Sequence, residues 1–210
     1  MKLNLPNKMT ILRFILVPVF VACVLYIPNV IACSLISLAV FLATAFTDFL
    51  DGRFARKYNM ITNFGKFMDS LADKFMIFCS FLVLTVKSEG ALRHVMVWAS
   101  LLIFLRELGV TSIRLVCAKC AVGVVAASFF GKVKTCVQIA CVGILLLEPI
   151  FAEYTHWIVS YVVVGLTIIV TLGSGYDYLR TYWKYLFDEV ETEEGFKEKT
   201  EEETKEETEE

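Results

Sequence analysis

Acidic residues are scarce over most of this chain. Thirteen of its 22 Asp and Glu fall in the final segment, 188–210, which leaves nine in residues 1–187 against seventeen Lys and Arg. The overall charge of -2 therefore combines a body at +8 with a terminal segment at -10. Histidine is nearly absent, with two residues, and neither stands at a zinc-like interval from the Cys117-x-x-Cys120 pair. The cysteines number seven, an odd count without framework spacing, which argues against a disulfide scaffold. Most sit in apolar runs, where a free thiol behaves as a small hydrophobe. Polar surface as a whole is also short: 57% of residues are hydrophobic and mean hydropathy is +0.66, above an ordinary soluble domain. That excess points to the lipid bilayer as solvent, and no nucleic-acid partner is expected. No internal repeat is evident.

The apolar residues fall into six stretches, near 9–26, 30–47, 74–86, 92–117, 133–147 and 157–180. A bilayer core requires about 20 helical residues, so some of these spans need flanking polar turns to complete them. The first stretch follows a weakly basic start, but its apolar run passes through the small pair Ala22-Cys23 and Arg13 interrupts it early, which favours an uncleaved span over a signal peptide. Short connections at 27–29, 87–91 and 148–156 alternate with longer ones at 53–66 and 115–132. The first and third short connections hold no Lys or Arg, whereas 53–66 holds Arg53, Arg56, Lys57 and Lys66, and Lys119, Lys132 and Lys134 lie on or beside the other. The positive-inside rule then places both termini in the cytosol. The fold expected is all-α, an integral membrane bundle of six transmembrane helices in the cytoplasmic (inner) membrane. Residues 1–187 form its membrane domain, and 188–210 are a low-complexity acidic tail expected to be disordered.

Four of the nine acids in the body lie within 26 residues: Asp48, Asp51, Asp69 and Asp73. Spacings of three and four put each pair on one face of a helix. Facing helices would gather four carboxylates, which repel one another unless something neutralises them. Two divalent ions balance the charge, and carboxylate-only ligation suits Mg2+ or Mn2+. Two such ions can clamp a phosphoryl displacement. Gly52 and Gly65 permit close approach of backbone to ligand, and Arg56, one turn after Gly52, can fork onto phosphate. The expected topology puts these residues at the cytosolic level, together with Arg106, Arg114, Lys132 and Lys134. Ionisable residues at membrane depth line polar cavities by default, and this cavity would open to the cytosol.

Asp48, Asp51, Gly52, Ala55, Arg56, Gly65, Asp69 and Asp73 fit D-x2-D-G-x2-A-R-x8-G-x3-D-x3-D, which resembles the signature of the CDP-alcohol phosphotransferases. The resemblance extends over the membrane body and implies a homodimer of six-helix protomers with a dinuclear metal site for a CDP-activated lipid. It implies that Asp48, Asp51, Asp69 and Asp73 ligate metal and that Asp73 is also the general base. It assigns Gly52, Ala55, Arg56, Gly65, Asn7 and Thr10 to the CDP-lipid. The opening NLPNKMTILR, which includes Arg13, the segment RELGVTSIRL at 106–115 and GKVKT at 131–135 are similar to the branch that uses glycerol 3-phosphate. That branch commonly has proline where this chain has Ser70, an exchange expected to matter little in an early helical turn.

The reaction so implied joins the phosphatidyl group of CDP-diacylglycerol to sn-glycerol 3-phosphate and releases CMP. The acceptor's phosphate would need Arg106, Arg114, Lys132 and Lys134. The two arginines are eight residues apart, about 12 Å along a helix, with Gly109 between them leaving room. Only one of the two lysines is expected to face the pocket, and Glu107 is expected to pair with a nearby base. Cardiolipin synthesis, with phosphatidylglycerol as acceptor, is the same-family alternative. A divalent-cation transporter is the alternative of another class, disfavoured because transporter sites lie near the bilayer midplane.

Overall fold

The computed structural model describes the backbone of residues 5–57, 63–119 and 129–187, and their side chains except at 5–9, 48–57, 63–67, 69, 115–119, 129–130, 132 and 183–187. The described residues form six α-helices and no strand: α1 (Leu5–Tyr26), α2 (Val30–Lys57), α3 (Asn63–Lys87), α4 (Gly90–Lys119), α5 (Phe129–Thr155) and α6 (Ile158–Phe187). Four contain segments long and apolar enough to cross a membrane: Val30–Thr47, Gly90–Arg114, Val133–Thr155 and Ile158–Tyr182. A shorter apolar segment, Thr10–Tyr26, lies in α1. In α3 the uncharged stretch runs only from Phe75 to Val86, because Lys66, Asp69, Asp73 and Lys74 occupy its first half. The expected acidic tail, 188–210, and Cys120 lie outside the described residues.

Helix packing closes a ring in the order α1, α2, α5, α6, α4, α3 and back to α1, with α3 also meeting α5. Each helix sends large side chains to the centre, among them Phe20, Phe41, Phe81, Met96, Val142 and Val164. The Phe20 and Phe41 rings lie 5.7 Å apart and join α1 to α2, while Phe78 and Phe104, 4.6 Å apart, join α3 to α4. Three hydroxyls inside this core are satisfied by their own helices: Thr44 donates to the Val40 carbonyl, Ser80 to Met76 and Thr167 to Val163. Such back-bonding lets polar side chains sit where water is excluded. The Thr85 and Ser100 hydroxyls also meet each other across α3 and α4, 3.1 Å apart.

All the connections at one end of the ring are short. Asn29 caps α2 by accepting from the Ala32 amide at 3.0 Å. Gly90 opens α4 at φ +55°, a left-handed conformation that glycine adopts without a Cβ clash. Only His156 and Trp157 separate α5 from α6, both at positive φ. The connection expected at 148–156 is therefore much shorter. Helix α5 continues through Pro149 to Thr155, and the buried Glu148 carboxylate accepts hydrogen bonds from Thr155 Oγ1 at 3.0 Å and from the Ser160 hydroxyl. Those hydroxyls satisfy an acid that reads in the sequence as a break. The connections expected at 53–66 and 115–132 shorten in the same way, because α2 reaches Lys57, α3 starts at Asn63, α4 reaches Lys119 and α5 starts at Phe129.

Candidate active site

Five signature residues, Asp48, Asp51, Gly52, Ala55 and Arg56, lie on the last turns of α2, and Gly65, Asp69 and Asp73 lie on the first turns of α3. Both runs are helical, so the spacings of three and four put each aspartate pair on one helix face. The side chains of Asp48, Asp51, Arg56 and Asp69 lie outside those described, as do those of Asn7 and Lys132. Among the described residues no cluster of three metal-ligating side chains occurs. Asp73 is described. Its carboxylate is about half exposed, and Oδ1 accepts from Arg13 Nη1 at 2.6 Å. Arg13 is wholly buried and arrives from α1, with Thr10 buried one turn before it. A guanidinium–carboxylate bond of that length is charge-assisted and directional, so α1 fixes the orientation of the last signature aspartate.

Asp73 borders a cavity of about 510 Å³ at the end of the ring opposite the short connections. Its wall also includes Ala45 on α2, three residues before Asp48. Among the described residues, four cations, Lys74, Arg106, Arg114 and Lys134, and two carboxylates, Asp73 and Glu107, line it, a surplus of two positive charges. Lys74 donates to Ser70 Oγ at 2.8 Å and to the Ser70 carbonyl at 3.3 Å. Serine at position 70 thus adds a hydroxyl acceptor to its carbonyl in tethering a cavity lysine, an acceptor that a proline would not supply.

Arg106 and Arg114 converge although they stand eight residues apart on α4. Arg106 Nη2 donates to the Ser174 hydroxyl and Arg114 Nη2 to the Tyr178 hydroxyl, both on α6. Both guanidinium carbons also stand over the Tyr178 ring, at 5.9 Å for Arg106 and 5.0 Å for Arg114. The room for this comes from α6. A Cβ on Gly175 would lie 3.2 Å from Arg106 Cγ, whereas a Cβ on Gly109 would meet nothing within 4 Å. The space ascribed to Gly109 thus belongs to Gly175. Glu107 pairs with both neighbouring bases, with Arg106 Nη1 at 3.3 Å and with the Lys134 ammonium. Lys134, at 5% exposure, is a cavity residue.

Sequence reasoning missed Lys74, Gln138, Ser174, Gly175 and Tyr178. The signal available for the last three was the polar and small run Gly173-Ser174-Gly175-Tyr176-Asp177-Tyr178 in an otherwise apolar segment. Chemically, the cavity combines a half-exposed carboxylate at one side with two arginines held mainly by neutral hydroxyls at the other. The hydroxyl partner leaves the Arg114 charge uncompensated, and Glu107 is shared between Arg106 and Lys134, so the cluster as a whole suits an anion.

The sequence profile of the family described as CDP-alcohol phosphatidyltransferase matches residues 3–172. A protein of Bacillus subtilis (strain 168) named CDP-diacylglycerol--glycerol-3-phosphate 3-phosphatidyltransferase is 34% identical over 194 residues, covering 87% of this chain and 97% of its own. A Rickettsia felis protein of the same name is 37% identical over 187 residues, covering 87% and 97%. A Mycobacterium tuberculosis (strain H37Rv) protein named probable phosphatidylglycerophosphate synthase is 37% identical over 177 residues, covering 84% and 80%.

Proposed function

The chain belongs to the CDP-alcohol phosphatidyltransferase family, and from that premise we propose that it transfers the phosphatidyl group of CDP-diacylglycerol to sn-glycerol 3-phosphate, giving phosphatidylglycerol phosphate and CMP. The observation that carries the choice of acceptor is the convergence of Arg106, Arg114 and Lys134 on the cavity that also holds Asp73. A neutral alcohol has no use for three cations, whereas a phosphate dianion matches the surplus of two positive charges on the wall.

In the reaction, the primary hydroxyl oxygen of the acceptor attacks the phosphorus bearing diacylglycerol. The bond from that phosphorus to the CMP oxygen breaks, CMP leaves, and the hydroxyl proton passes to the Asp73 carboxylate. Arg13 holds that carboxylate by Oδ1 from the buried side while it stays half exposed toward the cavity, so orientation is set before substrate arrives. Arg106 and Arg114 hold the far end of the acceptor and so point its hydroxyl at the lipid phosphorus. Four aspartates on facing helix ends form a hard, all-oxygen donor set, and Asp48, Asp51, Asp69 and Asp73 would hold two Mg2+ or Mn2+ ions. Bound there, such ions neutralise the diphosphate and the charge that develops during displacement. Gly52, Ala55, Arg56 and Gly65 would border the nucleotide, with Asn7 and Thr10 near it on α1, and Lys132 would lie at the cavity rim.

The charged ends of α2 and α3 then face the cytosol with both termini, the short connections face outward, and α1 and α3 complete six spans in the cytoplasmic membrane. The family resemblance carries a homodimer with it. Residues 1–187 are the working unit, so a chain ending at Phe187 keeps its activity.

The test is CMP release by the purified protein in mixed micelles with CDP-diacylglycerol, Mg2+ and a panel of acceptors. Release is expected with glycerol 3-phosphate and is abolished by EDTA and by Asp73→Asn. Release with phosphatidylglycerol but not glycerol 3-phosphate would overturn the acceptor. No release with any alcohol, accompanied by metal flux into liposomes, would overturn the reaction itself.

A further inference from the structure

One wall residue of the cavity has no part in the scheme above. Gln138 lies one turn beyond Lys134 on α5, is 2% exposed and lines the cavity. Its Nε2 is buried and has no hydrogen-bond partner among the described residues. The other amide or hydroxyl groups on the described wall are committed. The Ser70 hydroxyl accepts from Lys74, the Thr111 and Thr135 hydroxyls donate to the carbonyls of Glu107 and Gly131, and the Tyr178 hydroxyl accepts from Arg114. A buried amide donor without an acceptor is unfavourable, and an orphaned one in a native cavity wall points to a partner that arrives with a ligand.

The position of Gln138 indicates which part of the ligand it meets. Helix α5 enters from the cavity end at Phe129 and runs inward, so Gln138 lies about 6 Å deeper than Lys134. Lys134 is tied to Glu107, next to Arg106, and so belongs to the cluster assigned to the acceptor's phosphate. The attacking hydroxyl at the other end of the acceptor must face Asp73 and the lipid phosphorus. Between the phosphate and that hydroxyl, glycerol 3-phosphate carries one more polar group, the secondary hydroxyl at C2. A wall that buried it against Met76, Ile77 and Ile139, also cavity-lining, would strip its water without replacement.

We infer that Gln138 is a specificity-determining residue whose side-chain amide donates a hydrogen bond to the C2 hydroxyl of the acceptor. This rests on the glycerol 3-phosphate reading. It adds that the enzyme distinguishes glycerol 3-phosphate from phosphorylated alcohols that have the same phosphate and the same primary hydroxyl but nothing at C2. No bond is made or broken at this hydroxyl, and its contribution is to recognition and to the angle at which the primary hydroxyl is presented.

The experiment compares kcat/KM for glycerol 3-phosphate with that for 3-hydroxypropyl phosphate, its analogue lacking the C2 hydroxyl, in the CMP-release assay. The wild-type protein is expected to prefer glycerol 3-phosphate by about tenfold or more. In Gln138→Leu and Gln138→Met, which keep the volume and remove the donor, the preference falls to within about threefold while KM for CDP-diacylglycerol stays within about twofold of wild type. Equal use of the two acceptors by the wild-type protein would overturn the inference without any variant. So would a wild-type preference retained in whichever variant folds, or a matching rise in KM for CDP-diacylglycerol. Absence of CMP release with glycerol 3-phosphate in the wild type is a different result, which removes the acceptor reading and this inference with it.

Discussion

Tyr178 offers the sharpest test of how the cavity holds an anion. Its hydroxyl accepts from Arg114 and its ring lies under both guanidinium groups, at 5.0 and 5.9 Å, so one side chain of α6 fixes two cations of α4. Tyr178→Phe removes only the hydroxyl. A hydrogen bond to a charged group contributes about 1.5–3 kcal/mol, and because the cavity admits water to replace part of it the lower end applies, about tenfold in affinity. Tyr178→Leu also removes the ring, and two cation–π contacts of about 0.5–1 kcal/mol each add roughly another tenfold. Both losses should fall on KM for glycerol 3-phosphate, with KM for CDP-diacylglycerol changed by less than about twofold, because the proposed nucleotide end of the site is built from α2 and α3. Initial rates of CMP release, with each substrate varied against saturating amounts of the other, separate the two constants. An equal rise in both would show that Tyr178 only supports the bundle, and a Leu variant no worse than Phe would refute the role of the ring.

Three further outcomes follow from neighbouring features. Gly175→Ala places a Cβ 3.2 Å from Arg106 Cγ, and the arginine, held at its tip by Ser174, must shift, so KM for glycerol 3-phosphate should rise by roughly 3- to 10-fold. Gly109→Ala, with nothing within 4 Å, should leave it unchanged. Arg13→Gln releases the 2.6 Å hold on Asp73 and should lower kcat at saturation of both substrates by up to about 100-fold, with Arg13→Lys recovering part of the loss. Glu148→Gln weakens the contacts to Thr155 and Ser160 at the far end of the bundle. It should lower the thermal midpoint in detergent by a few degrees, from about 1–2 kcal/mol, while both KM values stay at wild-type levels.

What was legible in the sequence was local. The four aspartates are close in the chain and share helical spacing, so α2 and α3 could be expected to carry them at one level, and the apolar runs marked all six helices. What was not legible depends on pairs distant in sequence. Arg106 meets Ser174 across 68 positions and Arg114 meets Tyr178 across 64, and no periodicity encodes which helix will face α4. Gly109 attracted attention because it lies between the arginines, yet the space they use was made by a glycine on another helix. Glu148-Pro149 read as a connection because an acid and a proline interrupt hydropathy. The hydroxyls that make the acid acceptable follow it by 7 and 12 residues, beyond the reach of a local window.

The ring order has a consequence for how such a protein can change. The aspartate signature sits on α2 and α3, whereas the tyrosine, serine and glycine that arrange Arg106 and Arg114 sit on α6, which among the described residues packs mainly on α4 and α5. On the proposed reading, chemistry and acceptor choice are written in separate parts of the chain. Substitutions in α6 can retune which alcohol is welcomed without disturbing the bond-making apparatus. A graft of the signature would have to bring Arg13 of α1 with it, and would still leave the taste for one alcohol behind.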